Sequence, residues 1–216
     1  MNQRDSIKLI GFDVEGTLIQ NDLWSRLHPL FKVSDKQDCD WYSQYKSGEI
    51  NFREWLQLIS DSWSINSVSK EKIKEALNPL TWNNGAVDVV RKLSDKYRLA
   101  VISSGVDIFV LDAATQLGIS DAYFFNTLEF SEDGMFKAIK FPVDGTEVDA
   151  KISALHELSL KYAIPPEQMA FVGDSKNDLG AFRFTGHGVL FGDGTPELQS
   201  ASWRQIKDFS ELLAIF

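Results

Sequence analysis

The sequence predicts an α/β protein with a mainly parallel sheet, helices on both faces, and an all-helical insertion after the first strand. Three observations predict it. Short, nearly continuous apolar runs recur at residues 7–12, 98–103 and 169–173, as strands buried on both faces require. Helix-length amphipathic stretches separate the later runs, the alternation that builds parallel sheets. The region 21–82 contains no such run and carries helical periodicity instead. At 216 residues the chain holds one domain with a substantial core and a smaller insertion.

The chain opens on a run only as long as a buried strand, which drives into Asp13 and Glu15, two carboxylates two residues apart. Gly16 then lets the backbone turn away. Within the insertion the clearest element is 51–64, where Phe52, Trp55, Leu56, Ile59 and Trp63 line one helical face. Asn51 suits its cap, and Lys46-Ser47-Gly48 suits the end of the helix before it. Ser67 or Ser69 opens another helix through Leu77, stopped near Pro79. Beyond the insertion, Ala86, Val89, Val90 and Leu93 form a helical face, and 98–103 reads as a strand ending in hydroxyls. Val106, Phe109, Val110, Ala113 and Leu117 mark a helix ended by Gly118. A short strand at 122–126 precedes a hairpin of two alternating segments between Leu128 and Phe141, turning at Glu132-Asp133-Gly134. A helix over about 148–163 stops before Pro165-Pro166, and the strand 169–173 is closed by Asp174. A helix, a strand at 188–191, and a last helix with Phe209, Leu212, Leu213 and Phe216 on one face complete the chain.

Composition narrows the function. The net charge of −9, from 22 basic and 31 acidic residues without a like-charge block, offers nothing to track a nucleic-acid backbone. No apolar run approaches membrane-spanning length, and the start lacks a secretory signal, so the expected location is the cytoplasm and no membrane partner is expected. The single Cys39 excludes an intramolecular disulfide framework and a thiolate zinc cage, while His28, His156 and His187 have no metal-pair spacing.

Three strands end in polar residues: Asp13 with Glu15, Ser103 with Ser104 and Gly105, and Asp174 with Asn177 and Asp178. Ligands in open α/β sheets bind beyond the carboxyl ends of the strands, so neighbouring strands would bring these groups together. Asp13 can attack phosphorus to give an acyl phosphate. Magnesium takes hard oxygen ligands, which Asp13, Asp174 and a backbone carbonyl supply. Lys151 offers a point charge, Ser103 a hydroxyl for phosphoryl oxygens, and Glu15 a proton for the leaving oxygen and then a base for water. Taken singly, each has a plainer role: Asp13 a turn or cap acid, Ser103-Ser104-Gly105 a turn, Lys151 a solvated helix lysine. Asp174 to Asp178 is no calcium loop, because Leu179 stands where glycine is needed and Lys176 where an oxygen ligand is needed. Gly192-Asp193-Gly194-Thr195 lacks the lysine of a P-loop and reads as a connection.

The combination Asp13-Val14-Glu15-Gly16-Thr17-Leu18, Ser103, Lys151 and Gly173-Asp174-Ser175-Lys176-Asn177-Asp178 resembles, in order, the four motifs of the haloacid dehalogenase (HAD) superfamily. The helical insertion, Gly48-Glu49-Ile50-Asn51-Phe52 and Ser103-Ser104-Gly105-Val106-Asp107 resemble its phosphoserine phosphatase-like branch. The resemblance implies a three-layer, doubly wound Rossmannoid core over 1–20 and 83–216 with a helical cap domain over 21–82. It implies an aspartyl-phosphate on Asp13 and magnesium held by Asp13, the Glu15 carbonyl and Asp174. Ser103, Ser104 and Lys151 would then bind phosphate, and Asn177 and Asp178 would position metal waters and neighbouring side chains. Asp22 matches a cap acid that faces a substrate amine, and Phe52 a pocket aromatic.

Two departures stand out. Most of the family has aspartate where this chain has Glu15, and the arginine that holds the carboxylate of phosphoserine would fall at Ile59, which cannot pair with one. The expected activity is therefore hydrolysis of a small phosphorylated metabolite whose identity the sequence does not name. Phosphotransfer to a second alcohol and a binding protein on the same scaffold are the alternatives, and monomer and homodimer both remain open.

Overall fold

The computed structural model describes residues 7–20, 23–141 and 147–216. Its sheet has seven strands among the described residues: β1 (Leu9–Phe12), β2 (Arg98–Val106), β3 (Asp121–Phe130), β4 (Phe136–Lys140), β5 (Met169–Gly173), β6 (Gly188–Phe191) and β7 (Arg204–Ile206). Their order is β4-β3-β2-β1-β5-β6-β7, parallel throughout except for the antiparallel β3–β4 pair. The first strand in sequence is thus central in space, flanked by β2 and β5. Phe12 pairs with Val101 on one side and Val172 on the other. The residues that follow β1, β2 and β5 therefore emerge together at one edge of the sheet.

Alternation along the strands feeds two cores. Ile10, Phe12 and Val101 belong to one apolar cluster, Leu9, Ala100 and Ile102 to the other. The helices α5 (Ala86–Ser94) and α6 (Asp107–Leu117) contribute to the first, α7 (Glu147–Tyr162) and α8 (Leu179–Thr185) to the second. The fold is α/β with three layers, as expected.

Among the described residues between β1 and α5 lie four α-helices, α1 (Leu23–Leu27), α2 (Asp35–Ser47), α3 (Phe52–Ser64) and α4 (Lys70–Leu77), with a 3-10 turn at His28–Phe31. Asn51 and Glu54 form a reciprocal capping box at the start of α3, and Gly48 ends α2 at φ 80°. Ser69 caps α4. Trp55, Leu56, Ile59 and Trp63 are buried, as the stripe on α3 requires.

Two elements differ from expectation. The strand near 122–126 and the first arm of the hairpin are one strand, β3, whose first half pairs with β2 and whose second half pairs with β4. No glycine or proline stands between Asn126 and Leu128 to break it. The last helix is shorter than its pattern. Phe209–Glu211 forms a 3-10 turn, α10 (Leu212–Ile215) a single turn, and Leu213 is exposed while Leu212 is buried. The helix α9 (Pro196–Ala201) and the edge strand β7 carried no apolar run to announce them.

Candidate active site

At the strand tips, the buried groups are charged. Asp13 is 3% exposed and Lys151 and Asp178 are 0% exposed, which is tolerable only because they neutralise one another. Lys151 reaches in from α7 to place its ammonium 2.5 Å from Asp178 Oδ1 and 3.0 Å from Asp13 Oδ1. It also donates to Asn177 Oδ1 at 3.1 Å. Burial opposes the charge on Lys151, but Asp13 and Asp178 outweigh it and raise its pKa above the ordinary lysine value. It stays an ammonium.

Asp178 is fully engaged. Its Oδ2 accepts from the backbone N–H groups of Asp174 and Ser175, each at 2.9 Å, while Oδ1 serves Lys151. The carboxylate rests over Gly173, where a Cβ would come within 2.3 Å of its Cγ. Asp174 is anchored differently: Thr17 Oγ1 donates to its Oδ1 at 2.7 Å. Gly16, at φ +83°, lies beneath it, and a Cβ there would meet Asp174 Oδ2 at 2.5 Å. This glycine is needed both for its backbone conformation and for the approach of the carboxylate.

Asp13, Asp174 and Asp178 carry carboxylate oxygens all within 4.8 Å of one another. Burial, more than any other cause, pushes the Asp174 carboxyl up to about 6, with Asp178 adding to it and the Thr17 hydroxyl opposing. Burial likewise drives Asp13 well above the usual carboxylate range, against the attraction of Lys151. Asp13 Oδ1 has the lysine within ion-pair distance yet lacks an aligned hydrogen-bond donor. Hard oxygens, excess negative charge and an under-satisfied buried acceptor suit a small divalent cation. Asp178 is committed to Lys151 and the backbone, so Asp13 and Asp174 are the ligands this set offers.

The remaining predicted residues converge on the same cavity of about 400 Å³. Ser103 is 1% exposed, its Oγ accepting from the Gly105 N–H at 3.2 Å, where the β2–β3 register shifts. Ser104 Oγ accepts from Asn177 Nδ2 at 3.0 Å. The Glu15 carboxylate lines the cavity with Oε1 accepting from the Leu23 N–H, 2.8 Å away, at the start of α1. Phe52 lines the cavity as well, with Trp24, Tyr42, Tyr45 and Trp55. Ile59 is buried in the apolar core. Asp22 lies outside the described residues.

Other contributors carried no functional signal in the sequence. Asn83 Nδ2 donates to the Thr17 carbonyl at 2.5 Å, and Asn126 Nδ2 to the Ser104 carbonyl at 2.5 Å. They hold the loops after β1 and within β2, and an isolated asparagine reads as a turn former. Asp38 and Lys46, both on α2, also line the cavity. They looked like ordinary surface charge.

A family model described as haloacid dehalogenase-like hydrolase matches residues 7–186. The chain belongs to that family. It is 30% identical over 187 residues to a probable phosphoserine phosphatase of Schizosaccharomyces pombe, covering 85% of this chain and 61% of that protein. It thus spans about three fifths of that relative's length. It is 26% identical over 189 residues to a phosphoserine phosphatase of Methanocaldococcus jannaschii, covering 85% of each. A solved structure of a phospho-aspartyl intermediate analogue of phosphoserine phosphatase superposes with a TM-score of 0.81 at 26% identity, over 98% of this chain and 99% of that one.

Proposed function

We propose that the chain hydrolyses the phosphoester bond of a small phosphorylated metabolite, with Asp13 as nucleophile. The observation that carries the reading is the buried Asp13–Lys151–Asp178 group at the tips of adjacent parallel strands, opening into a cavity with hydroxyl and carboxylate walls. An Asp13 oxygen attacks phosphorus and the ester P–O bond breaks. Glu15 gives its proton to the departing oxygen, then takes one from the water that cleaves the acyl phosphate, so that both residues are restored. Lys151 and Ser103 bind the phosphoryl oxygens, and Ser104 and Asn177 keep the phosphate side of the cavity in register. Asp178 holds Lys151 in place.

Asp13, the Glu15 carbonyl and Asp174 would hold magnesium, which offsets the repulsion between a carboxylate and a phosphate. The raised pKa of Asp13 supports this part of the reading: Lys151 alone does not overcome the cost of burying an ionised nucleophile. Residues 21–82 act as a cap domain over a core of 1–20 and 83–216, since α1, α2 and α3 supply the cavity wall facing the strand tips. Phe52 belongs to that wall, and Asp22 remains a candidate for the substrate amine. The relatives named phosphoserine phosphatases support a small phosphorylated substrate, although Ile59 cannot supply the expected arginine.

The test is a screen of phosphorylated metabolites and of p-nitrophenyl phosphate with phosphate release as the readout. Turnover that disappears with EDTA and returns with magnesium is expected, and no release from any phosphomonoester would refute the reading. Added alcohols that yield a new phosphomonoester would show transfer in place of hydrolysis.

A further inference from the structure

Resting on that reading, we propose that the leaving alcohol of the substrate carries a planar aromatic ring. The observation behind it is the apolar surface that the inserted helices leave open in the cavity of Asp13 and Asp174. Trp24 of α1, Tyr42 and Tyr45 of α2, and Phe52 and Trp55 of α3 all line that cavity. Trp55 is the hub. It is 5% exposed, and its ring centroid lies 5.1 Å from that of Trp24, 5.5 Å from Tyr45, 5.7 Å from Phe52 and 6.1 Å from Tyr42. The other four rings surround it and keep part of their own surface exposed. The capping box of Asn51 and Glu54 fixes the first turn of α3, which carries Phe52 and Trp55.

A plainer reading makes these rings the core that holds the inserted helices together. Trp55 fits it, as do Ile59 and Trp63 further along α3. The rings of α2 do not: that helix has no buried residue, and Tyr42 is 47% exposed. Contiguous apolar surface left in water forgoes stabilisation, and such patches mark binding sites. The charged neighbours on α2 already have partners: Asp38 faces His28 Nε2 at 3.1 Å, and the Lys46 ammonium rests over the Tyr42 ring. Continuity with the strand tips decides the occupant. The same cavity, of about 400 Å³, holds Asp13 and Asp174, so a phosphoryl group seated there leaves its alcohol portion among the rings. Ring faces attract another ring more than an alkyl group of equal size, because offset and edge-on contacts add quadrupole attraction to burial. Ile59 supports the same choice, since it lies in the apolar core and supplies no cation for a charged leaving group.

The experiment compares kcat/KM for benzyl, cyclohexylmethyl and ethyl phosphate with magnesium present. All three release primary alcohols of similar acidity, so differences report contacts of the leaving group and not its reactivity. Benzyl phosphate should exceed ethyl phosphate by about ten- to hundred-fold, the range for burying one ring-sized apolar group. It should exceed cyclohexylmethyl phosphate by about two- to ten-fold, the increment of an aromatic contact over burial alone. In Tyr45→Leu combined with Phe52→Leu, the benzyl-to-cyclohexylmethyl ratio should fall toward unity, mainly through KM. Circular dichroism establishes that the double variant is folded. Parity of benzyl with either other compound in the parent enzyme, or an unchanged ratio in the folded double variant, would overturn the proposal. Benzylphosphonate and cyclohexylmethylphosphonate have P–C bonds that cannot be hydrolysed. Their equilibrium binding to the parent protein, followed by tryptophan fluorescence, applies the same criterion without turnover, so failure of the hydrolytic reading is distinguishable from failure of this one.

Discussion

As the proposed nucleophile, Asp13 would face two opposed demands: it must be buried to react without competition from water, and ionised to react at all. Lys151, shared between Asp13 and Asp178, meets part of that demand, and the paired acids in turn keep the lysine charged. Glu15 sits beside this group with its carboxylate accepting from the Leu23 N–H. Glu15→Gln keeps an acceptor for that amide but cannot shuttle a proton. It is expected to lower the rate about 10²–10⁴-fold while phosphoenzyme accumulates, as read by rapid-quench labelling. An unchanged rate would remove Glu15 from the chemistry. At this scale the sequence was informative where a strand pointed at a residue: Asp13, Ser103 and Asp174 follow apolar runs of strand length. Lys151 was legible only as one member of the set, because a single lysine on a helix reads as solvated. That Asp38 lines the cavity was hidden, because α2 has no buried residue.

Among the elements, the β3–β4 arm has the least obvious task. It leaves the parallel sheet and pairs with the inserted helices: the Lys70 N–H donates to the Gly134 carbonyl at 3.0 Å and the Phe136 N–H to the Val68 carbonyl at 2.9 Å. Phe136 meets the stacked pair Phe31–Trp63 edge-on. The buried Ser60 hydroxyl of α3 accepts from the Ile139 N–H at 2.9 Å. Ser60→Ala would strand that N–H and should destabilise the fold by about 1–3 kcal/mol in urea unfolding. A change below a few tenths of a kcal/mol would mean that water replaces the bond. The turn at Glu132-Asp133-Gly134 was readable from its residues, whereas the continuity of β3 was not. That strand changes partners midway without any break in its own backbone, and pairing is a tertiary choice that local pattern does not encode. The short last helix has the same origin: Leu213 completes an apolar pattern but is exposed to water.

For the molecule as a whole, the acidic cluster costs stability when it is ionised and no cation is bound. The folded state holds a proton on Asp174 up to about 6, against an ordinary value of 3.8, and Asp13 shifts the same way. The stabilising contribution of these protonated carboxyls is present at low pH and is lost as pH rises through about 6. Without divalent cations, thermal stability should fall between about pH 5 and about pH 8, and magnesium should restore it at the upper value far more than at the lower. A midpoint insensitive to both would contradict the cation site. The central claim is that Asp13 itself takes the phosphoryl group, and acid-quenched labelling of the protein by a radiolabelled phosphomonoester substrate tests it most directly. The account predicts a hydroxylamine-labile phosphoryl group on the Asp13 peptide, absent together with turnover in Asp13→Asn. Phosphate release by a folded Asp13→Asn variant would contradict it.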